Sequence, residues 1–190
     1  MKYLRVAGLD PSLSHFGMVK GELDLETGKL FNLQLKLIQT SPDNQNKIVR
    51  KNSTDLKRCR KLHIGMQEFI KDVAMVFVEI PVGSQSARAM ASYGMCIGVV
   101  AAIQQAVIQV TPTEVKVAAT GNKTASKADM IEWAKNAYPD AEWIERVIKG
   151  VKNHVNKNEH LADALAAIYA GVRTDQFKHA RAMLLATEEQ

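Results

Sequence analysis

Two carboxylates stand at or inside apolar, strand-like segments, where an acidic side chain needs a specific reason. Asp10 ends the apolar run of residues 4–9, and Glu79 interrupts the apolar run of residues 75–80. An ionised carboxylate that is buried without a partner costs several kcal/mol or becomes protonated. Glu79 therefore needs a basic partner, a metal ion or a cleft. The structural alternatives are a turn residue for Asp10, which precedes a proline, and an internal ion pair for Glu79.

A third polar group opens a helix-like segment late in the chain. We expect Asn158 to cap this helix, and His160 and Asp163, three residues apart, to share one of its faces. Glu159 and Asp163, four residues apart, could also converge. The apolar stripe falls on a different face, with Leu161, Leu165, Ile168 and Val172. Acids in a first turn also complement the helix dipole, which is an alternative explanation for Glu159.

Together these side chains predict a carboxylate-rich pocket suited to Mg²⁺, or to Mn²⁺, because such cations prefer oxygen ligands at high charge density. Two ions about 3.5–4 Å apart would activate a water and stabilise the leaving oxygen of a phosphodiester. Clustered acids repel one another, so cation binding and ionisation should be coupled. The predicted chemistry is phosphodiester hydrolysis.

The elements that must position these residues begin with three antiparallel strands. Alternating apolar residues predict strands over residues 4–9 and 16–25 and around 33–37, with a hairpin turn at 26–29 and a loop over 40–53. Later segments alternate between helices and strands. Helices are expected at residues 54–73, 86–105, 126–137, 142–148 and 159–173, strands at 75–80 and 107–110, a loop opening at 111–112, and a basic loop after residue 148.

The order βββαβαβα predicts an α/β domain with a mixed five-stranded sheet flanked by helices. We expect one domain over residues 1–174 and a helical C-terminal tail over residues 175–190. The 190 residues suffice for one such domain.

Charge is concentrated rather than evenly spread. The chain carries a net charge of +5 and a pI near 9.2, yet residues 47–63 alone hold seven Lys and Arg residues against one acid. A second basic run, residues 149–157, contains Lys149, Lys152 and Lys157. Such clusters are typical of binding to a phosphate backbone, although a solvated helix face is the simpler explanation.

Composition excludes several classes of protein. The sequence contains no long uncharged apolar run of the kind that predicts a transmembrane span. Its first residues also lack the features of a signal peptide. Cys59 and Cys96 are too few and too far apart for a disulfide framework or a zinc site. We therefore expect a cytoplasmic protein that has no membrane partner.

The motifs, taken in order, resemble the RuvC family of Holliday junction resolvases. The matching segments are residues 8–12 with Gly17, residues 78–81, residues 111–112 with 115–116, and residues 160–166. Residues 93–99 are similar to the Gly-x-x-x-Gly-Val helix of that family, and Lys116 and Lys127 resemble its paired basic residues near the cut. The resemblance covers most of the chain, from about residue 4 to 170.

The resemblance implies an RNase H-like fold, a homodimer, and Mg²⁺-dependent symmetrical nicking of four-way DNA junctions in a bacterial cell or a phage-infected bacterium. By position, it implies that Asp10, Glu79, His160 and Asp163 hold the metal ions, with Glu159 as a further candidate. Lys116 would join them in catalysis. DNA contacts are expected from Lys116, Lys123, Lys127, Arg58, Lys61 and Lys152, and a dimer contact from Gly94 and Gly98.

One position departs from the family pattern. An aromatic residue commonly follows the strand Glu by three positions, whereas Val82 stands here. Other branched substrates, such as flaps, therefore stay open, as does a junction-binding protein that does not cut. A different class, the actin-like and sugar-kinase ATPases, shares a Gly-x-Asp turn after its first strand. Those proteins usually need two such domains and glycine-rich adenosine loops.

Overall fold

The computed structural model describes residues 2–42, 51–148 and 151–186. Side chains are described for the same ranges except at residue 51 and residues 147–154. Within these ranges the chain forms seven strands and six helices. The strands of the larger sheet are β1 (Tyr3–Asp10), β2 (His15–Asp24), β3 (Leu30–Gln39), β4 (Met75–Glu79) and β5 (Ala106–Val110).

The five strands lie in the order β3-β2-β1-β4-β5. β1 pairs antiparallel with β2 and parallel with β4, and β4 pairs parallel with β5. β3 completes the antiparallel meander beside β2. The sheet is therefore mixed, as predicted, and the carboxyl ends of β1 and β4 meet at one edge.

Helices cover both faces of this sheet. They are α1 (Lys51–Ile70), α2 (Ala87–Val100), α3 (Pro112–Thr120), α4 (Lys127–Ala137), α5 (Asn158–Gly171) and α6 (Asp175–Ala186). One core lies between the sheet and α1 and α2, and includes Leu9, Val78 and Met66. The second core lies under α3 to α6, and includes Val6 and Phe77. Alternation along the strands sends neighbouring residues into opposite cores.

The last helix packs on the second core rather than standing apart. Phe177 of α6 is buried and contacts Phe77 at a ring-centroid distance of 5.6 Å. Arg181 donates hydrogen bonds to the carbonyls of Leu25 and Glu26 at the β2–β3 turn. Residues 175–186 thus share the core of the domain that precedes them.

Two predicted elements are wrong in type. Residues 111–112 begin α3 rather than a loop, because Thr111 and Glu114 form a reciprocal capping box and Pro112 suits a first helical turn. The predicted helix over residues 142–148 and the basic loop after it contain a two-stranded hairpin, β6 (Glu145–Ile148) and β7 (Val151–His154). β-branched residues at 147, 148 and 151 favour strands over helices.

Several boundaries also differ. α1 begins at Lys51, inside the predicted loop, and ends at Ile70, while residues 43–50 of that loop lie outside the described residues. α2 ends at Val100 rather than near residue 105. None of the helices in the described ranges has the length and apolar character needed to cross a bilayer.

Candidate active site

Asp10 and Glu79 are neighbours because their strands run parallel and side by side. Leu9 of β1 is in register with Val78 of β4, so each strand ends on its acid at the same edge of the sheet. Val6 and Phe77 belong to the core under α5, and alternation puts Asp10 and Glu79 on that same face. The strand pattern of the sequence thus brings two acids together.

Helix α5 supplies the other two predicted residues, and glycines allow it to approach. A Cβ atom at Gly8 would overlap the carbonyl oxygen of Ala164, and one at Gly17 would overlap that of His160. These two glycines lie on neighbouring strands, so the start of α5 rests directly on the backbone of β1 and β2. His160 and Asp163 are thereby brought to the edge where β1 ends.

Asp10 and His160 are in direct contact. Nδ1 of His160 lies 2.7 Å from Oδ2 of Asp10, an ion pair whenever the imidazole is protonated. Burial lowers the pKa of His160, but the hydrogen bond and charge of Asp10, with Glu159 and Asp163, outweigh it and raise the pKa. At Asp10 the largest effect is burial, which raises the pKa of the carboxyl group. The hydrogen bond and charge of His160 oppose that rise.

The remaining acids repel one another in a poorly hydrated pocket. Burial, together with the charges of Asp10 and Asp163, raises the pKa of Glu79 to about 8. Burial, with the charges of Asp10 and Glu159, raises the pKa of Asp163 to about 7. Lys116 opposes both shifts, so its ammonium lies within electrostatic reach of the acids.

The donor chemistry fits a divalent cation, although the side chains are not gathered around a single point. Among the described residues, no three or more His, Cys, Asp or Glu side chains are close enough together to hold a metal ion. The acids nevertheless raise one another's pKa, and a cation would relieve that repulsion. Asp10, Glu79, His160 and Asp163 are the residues that could hold it.

Glu159 is engaged elsewhere. Nζ of Lys127, at the start of α4, lies 2.6 Å from Oε1 of Glu159. The Lys127 side chain is 77% exposed, whereas that of Glu159 is 13% exposed. The exposed Lys127 is therefore held by Glu159, the residue predicted as a further candidate for metal binding.

Arg58 is a correction to the predicted DNA contacts. It is buried and donates to the carbonyl of Leu13, to Ser14 and Thr40, and to Asp55. These internal partners engage its guanidinium, so the structure gives Arg58 a role inside the fold rather than on the surface. Burial of one face of α1 is a tertiary fact that the basic run of the sequence did not reveal.

The other predicted basic residues are distributed around the molecule. Lys61 is exposed on α1 and donates to the carbonyl of Gln39, and Lys123 is exposed between α3 and α4. Lys116 is half-buried on α3. Lys152 belongs to β7, and its side chain lies outside the described residues.

Gly94 and Gly98 lie on an exposed face of α2. A Cβ atom at either position would meet nothing within 4 Å. Met90 and Ile97 on the same helix are 47% and 45% exposed. A groove of about 440 Å³ beside Gly98 runs between α1 and α2.

Sequence reasoning missed the role of His15 and assigned the wrong role to Asn158. His15 stacks on His160, and the alternation of β2 could have indicated this, because His15 shares a face with Gly17. Asn158 does not cap α5. It is buried, and its amide exchanges two hydrogen bonds of 2.9 Å with the backbone of Ile144, which ties the segment before β6 to the start of α5.

Comparison with known proteins gives structural matches only. No family model matches the sequence, and no curated protein does. A structure of Thermus thermophilus RuvC in complex with a Holliday junction substrate matches with a TM-score of 0.62 and 22% identity, over 94% of this chain and 95% of that one. A second T. thermophilus RuvC structure matches with a TM-score of 0.58 and 23% identity, over 96% and 97%. The chain therefore has an RNase H-like α/β fold, similar to that of RuvC.

Proposed function

We propose that this protein is a divalent-cation-dependent endonuclease that cuts four-way DNA junctions. Three observations support the proposal: the strands that end on Asp10 and Glu79 lie side by side, His160 contacts Asp10, and Asp10 and Asp163 raise the pKa of Glu79. Mutual repulsion among buried acids costs stability unless a cation or a proton offsets it. In a cluster with only a structural role, we would expect an arginine or lysine in direct contact with the acids, because its charge would offset their repulsion.

In this proposal Asp10, Glu79, His160 and Asp163 hold Mg²⁺, or Mn²⁺, as a pair of ions. When bound, such ions would activate a water and stabilise the leaving oxygen of the phosphodiester. The work of the protein is to deliver negative charge at fixed positions and to keep bulk water away, which the burial behind the raised pKa values of Glu79 and Asp163 supports. Glu159 is paired with Lys127, and we do not assign it to the cation in this proposal.

Lys116 is assigned to the scissile phosphate. Its electrostatic influence on both Glu79 and Asp163 supports a position from which it neutralises phosphate charge beside the acids. Lys127, at the start of α4 and largely exposed, is assigned to the neighbouring phosphates together with Lys123. Lys61 is assigned to the DNA farther from the cut, and Lys152 stays a prediction from sequence.

The substrate is a four-way junction, cut by a homodimer. The exposed Gly94 and Gly98 face of α2, with Met90 and Ile97, supports a symmetrical contact in which two helices approach closely. Val82 is 84% exposed on the segment after Glu79, so it is available to contact branched DNA but lacks an aromatic ring to stack on a base. We assign the protein to the cytoplasm of a bacterium or of a phage-infected bacterium, where such DNA occurs.

The test is to incubate the protein with labelled four-way, three-way, flap and linear DNA, with Mg²⁺ or with EDTA, and to map the nicks. We expect paired nicks in the four-way junction in Mg²⁺ and none in EDTA. Asp10→Asn and Glu79→Gln should lower nicking at least about 100-fold while leaving junction binding intact, because charge is removed and shape is kept. Glu68→Gln, at an exposed acid on α1, is the matched control.

Different results would identify different functions. Full cutting by Glu79→Gln would refute the metal model. Preferential cutting of flaps would indicate a branched-DNA nuclease, a specificity consistent with Val82 in place of an aromatic residue. Tight junction binding without cutting in any cation would indicate a binding protein, and ATP turnover would indicate the actin-like class.

A further inference from the structure

The imidazoles of His15 and His160 form a parallel stack. Their ring centroids are 5.3 Å apart and the ring planes differ by 7°. His15 is the first residue of β2, and His160 lies in the first turn of α5. A parallel stack brings ring faces together rather than nitrogens, so this contact holds the orientation of a ring without occupying either of its nitrogens.

The strand side of the stack is rigidly anchored. The buried Arg58 donates hydrogen bonds to the carbonyl of Leu13 and to Oγ of Ser14, which immediately precede His15. The amide of Thr40 donates to the carbonyl of Ser14 at 3.0 Å. His15 itself is in register with Gln39 of β3. The backbone at His15 is therefore held by Arg58, by Thr40 and by its pairing with β3.

The helix side is anchored to the same strands. Lys157, which precedes α5, donates a hydrogen bond to the side chain of Gln39, the register partner of His15. Gly17, two residues after His15 on the same face, lets the backbone at His160 rest on β2. The two rings are thus carried by elements that are held at a fixed separation.

We infer that His15 is a positioning residue that fixes the plane of the His160 imidazole at the cation site, an inference that rests on the proposed function. The Asp10 hydrogen bond restrains one atom of the His160 ring and leaves rotation about that bond. The stack removes this rotation, so the free nitrogen of His160 keeps one direction. Ligand orientation by a neighbouring side chain is a common way of tuning metal affinity.

The experiment compares His15→Ala, which removes the stack, with His15→Phe, which keeps an aromatic ring there. Mn²⁺ affinity is measured by titration calorimetry, and the His160 imidazole is followed by NMR in the metal-free protein. His15→Ala should weaken Mn²⁺ binding about 10-fold and broaden or shift the His160 signals. His15→Phe should stay within about threefold of the wild type, because an aromatic ring restores the stack. His179→Ala, at an exposed histidine of α6, is the control.

The outcomes separate this inference from the function on which it rests. If His15→Ala lowers the unfolding temperature but leaves Mn²⁺ affinity and the His160 signals unchanged, His15 is only structural and the inference fails. If the wild type binds no Mn²⁺, the proposed function fails, and the His160 signals of the metal-free variants still decide whether His15 orients the ring. If the His160 signals of His15→Ala match those of the wild type, the inference about His15 is overturned even when the wild type binds no Mn²⁺.

Discussion

The buried acids of the site make the free energy of unfolding depend on pH. The pKa of Glu79 is raised from 4.5 to about 8, and that of Asp163 from 3.8 to about 7, with burial as the largest cause in both. Between the unfolded and folded values, the folded protein binds protons that the unfolded chain has released. The free energy of unfolding therefore falls as pH rises through that window.

We predict that the metal-free protein in EDTA is less stable at pH 8 than at pH 5.5, by about 1–3 kcal/mol, since one pKa unit corresponds to about 1.4 kcal/mol. Mg²⁺ should remove most of the difference by offsetting the repulsion. Glu79→Gln should flatten the pH dependence, because its amide does not ionise. Urea unfolding at the two pH values measures this, and equal stabilities in EDTA would contradict the raised pKa values.

Lys116 opposes the rise in the pKa of both Glu79 and Asp163, so its charge acts on these two acids. Lys116→Ala should slow cleavage and reduce by about one the slope of log affinity against log salt, because one phosphate contact is lost. The measurements are single-turnover nicking and junction binding at several salt concentrations. Unchanged rate and slope would remove Lys116 from the site.

Arg58 and Lys61 lie on the same helix and yet have opposite environments. Arg58→Ala should lower the free energy of unfolding by about 3 kcal/mol, because it leaves the buried Asp55 with one fewer partner. Lys61→Ala should change it by less than about 0.5 kcal/mol and weaken DNA binding instead. Urea unfolding and DNA titration separate the two effects. If Arg58→Ala lost DNA affinity at unchanged stability, its structural role would be refuted.

At the scale of elements, the site depends on how closely α5 rests on the sheet. Gly8 and Gly17 remove the side chains that would hold this helix away, and Asn158 links its first residue to the backbone at Ile144. The capping box at Thr111 starts α3 directly after β5, which brings Lys116 to the acids. The close backbone contact at Gly17 therefore helps to set the position of His160.

Gly17→Ala should therefore displace the start of α5. We expect a loss of about 1–3 kcal/mol in the free energy of unfolding, as for other overpacked sites, and loss of nicking in the protein that remains folded. Circular dichroism at the assay temperature, together with nicking assays, tests this. Wild-type activity in Gly17→Ala would mean that α5 can shift without harm to the site.

At the scale of the whole molecule, the proposed paired nicking would require two active sites, which the proposed homodimer would supply. Each chain of 21.0 kDa presents the glycine-bearing face of α2, and open space surrounds Gly94 and Gly98 in the single chain. A charged side chain at Gly98 is therefore compatible with the folded protomer. It is not compatible with a second helix lying close against it, because a buried unpaired charge is costly.

Gly98→Glu should give a monomer that keeps its unfolding temperature and loses paired nicking. Sedimentation equilibrium measures the mass. Gln176→Glu, which adds the same charge on an exposed part of α6, should remain dimeric. An unchanged mass for Gly98→Glu would place the dimer contact elsewhere.

The sequence by itself determined the local elements and the faces on which the acids lie. The apolar runs that Asp10 ends and Glu79 interrupts, with the helical spacing of His160 and Asp163, predicted one carboxylate-rich pocket. The order of elements predicted the mixed sheet. The prediction of the mixed sheet is confirmed, because side-chain periodicity depends only on backbone geometry. The β6–β7 hairpin was missed because its short apolar run fits a helix as well as a strand.

Only the tertiary structure decided which polar groups meet. The burial of Arg58, the pairing of Lys127 with Glu159, the stack of His15 on His160 and the role of Asn158 each join or enclose groups from separate elements. Periodicity assigns a residue to a face but does not say what covers that face. Hydrogen bonds, ion pairs and pKa shifts depend on distances of a few ångströms across elements that lie far apart in the chain.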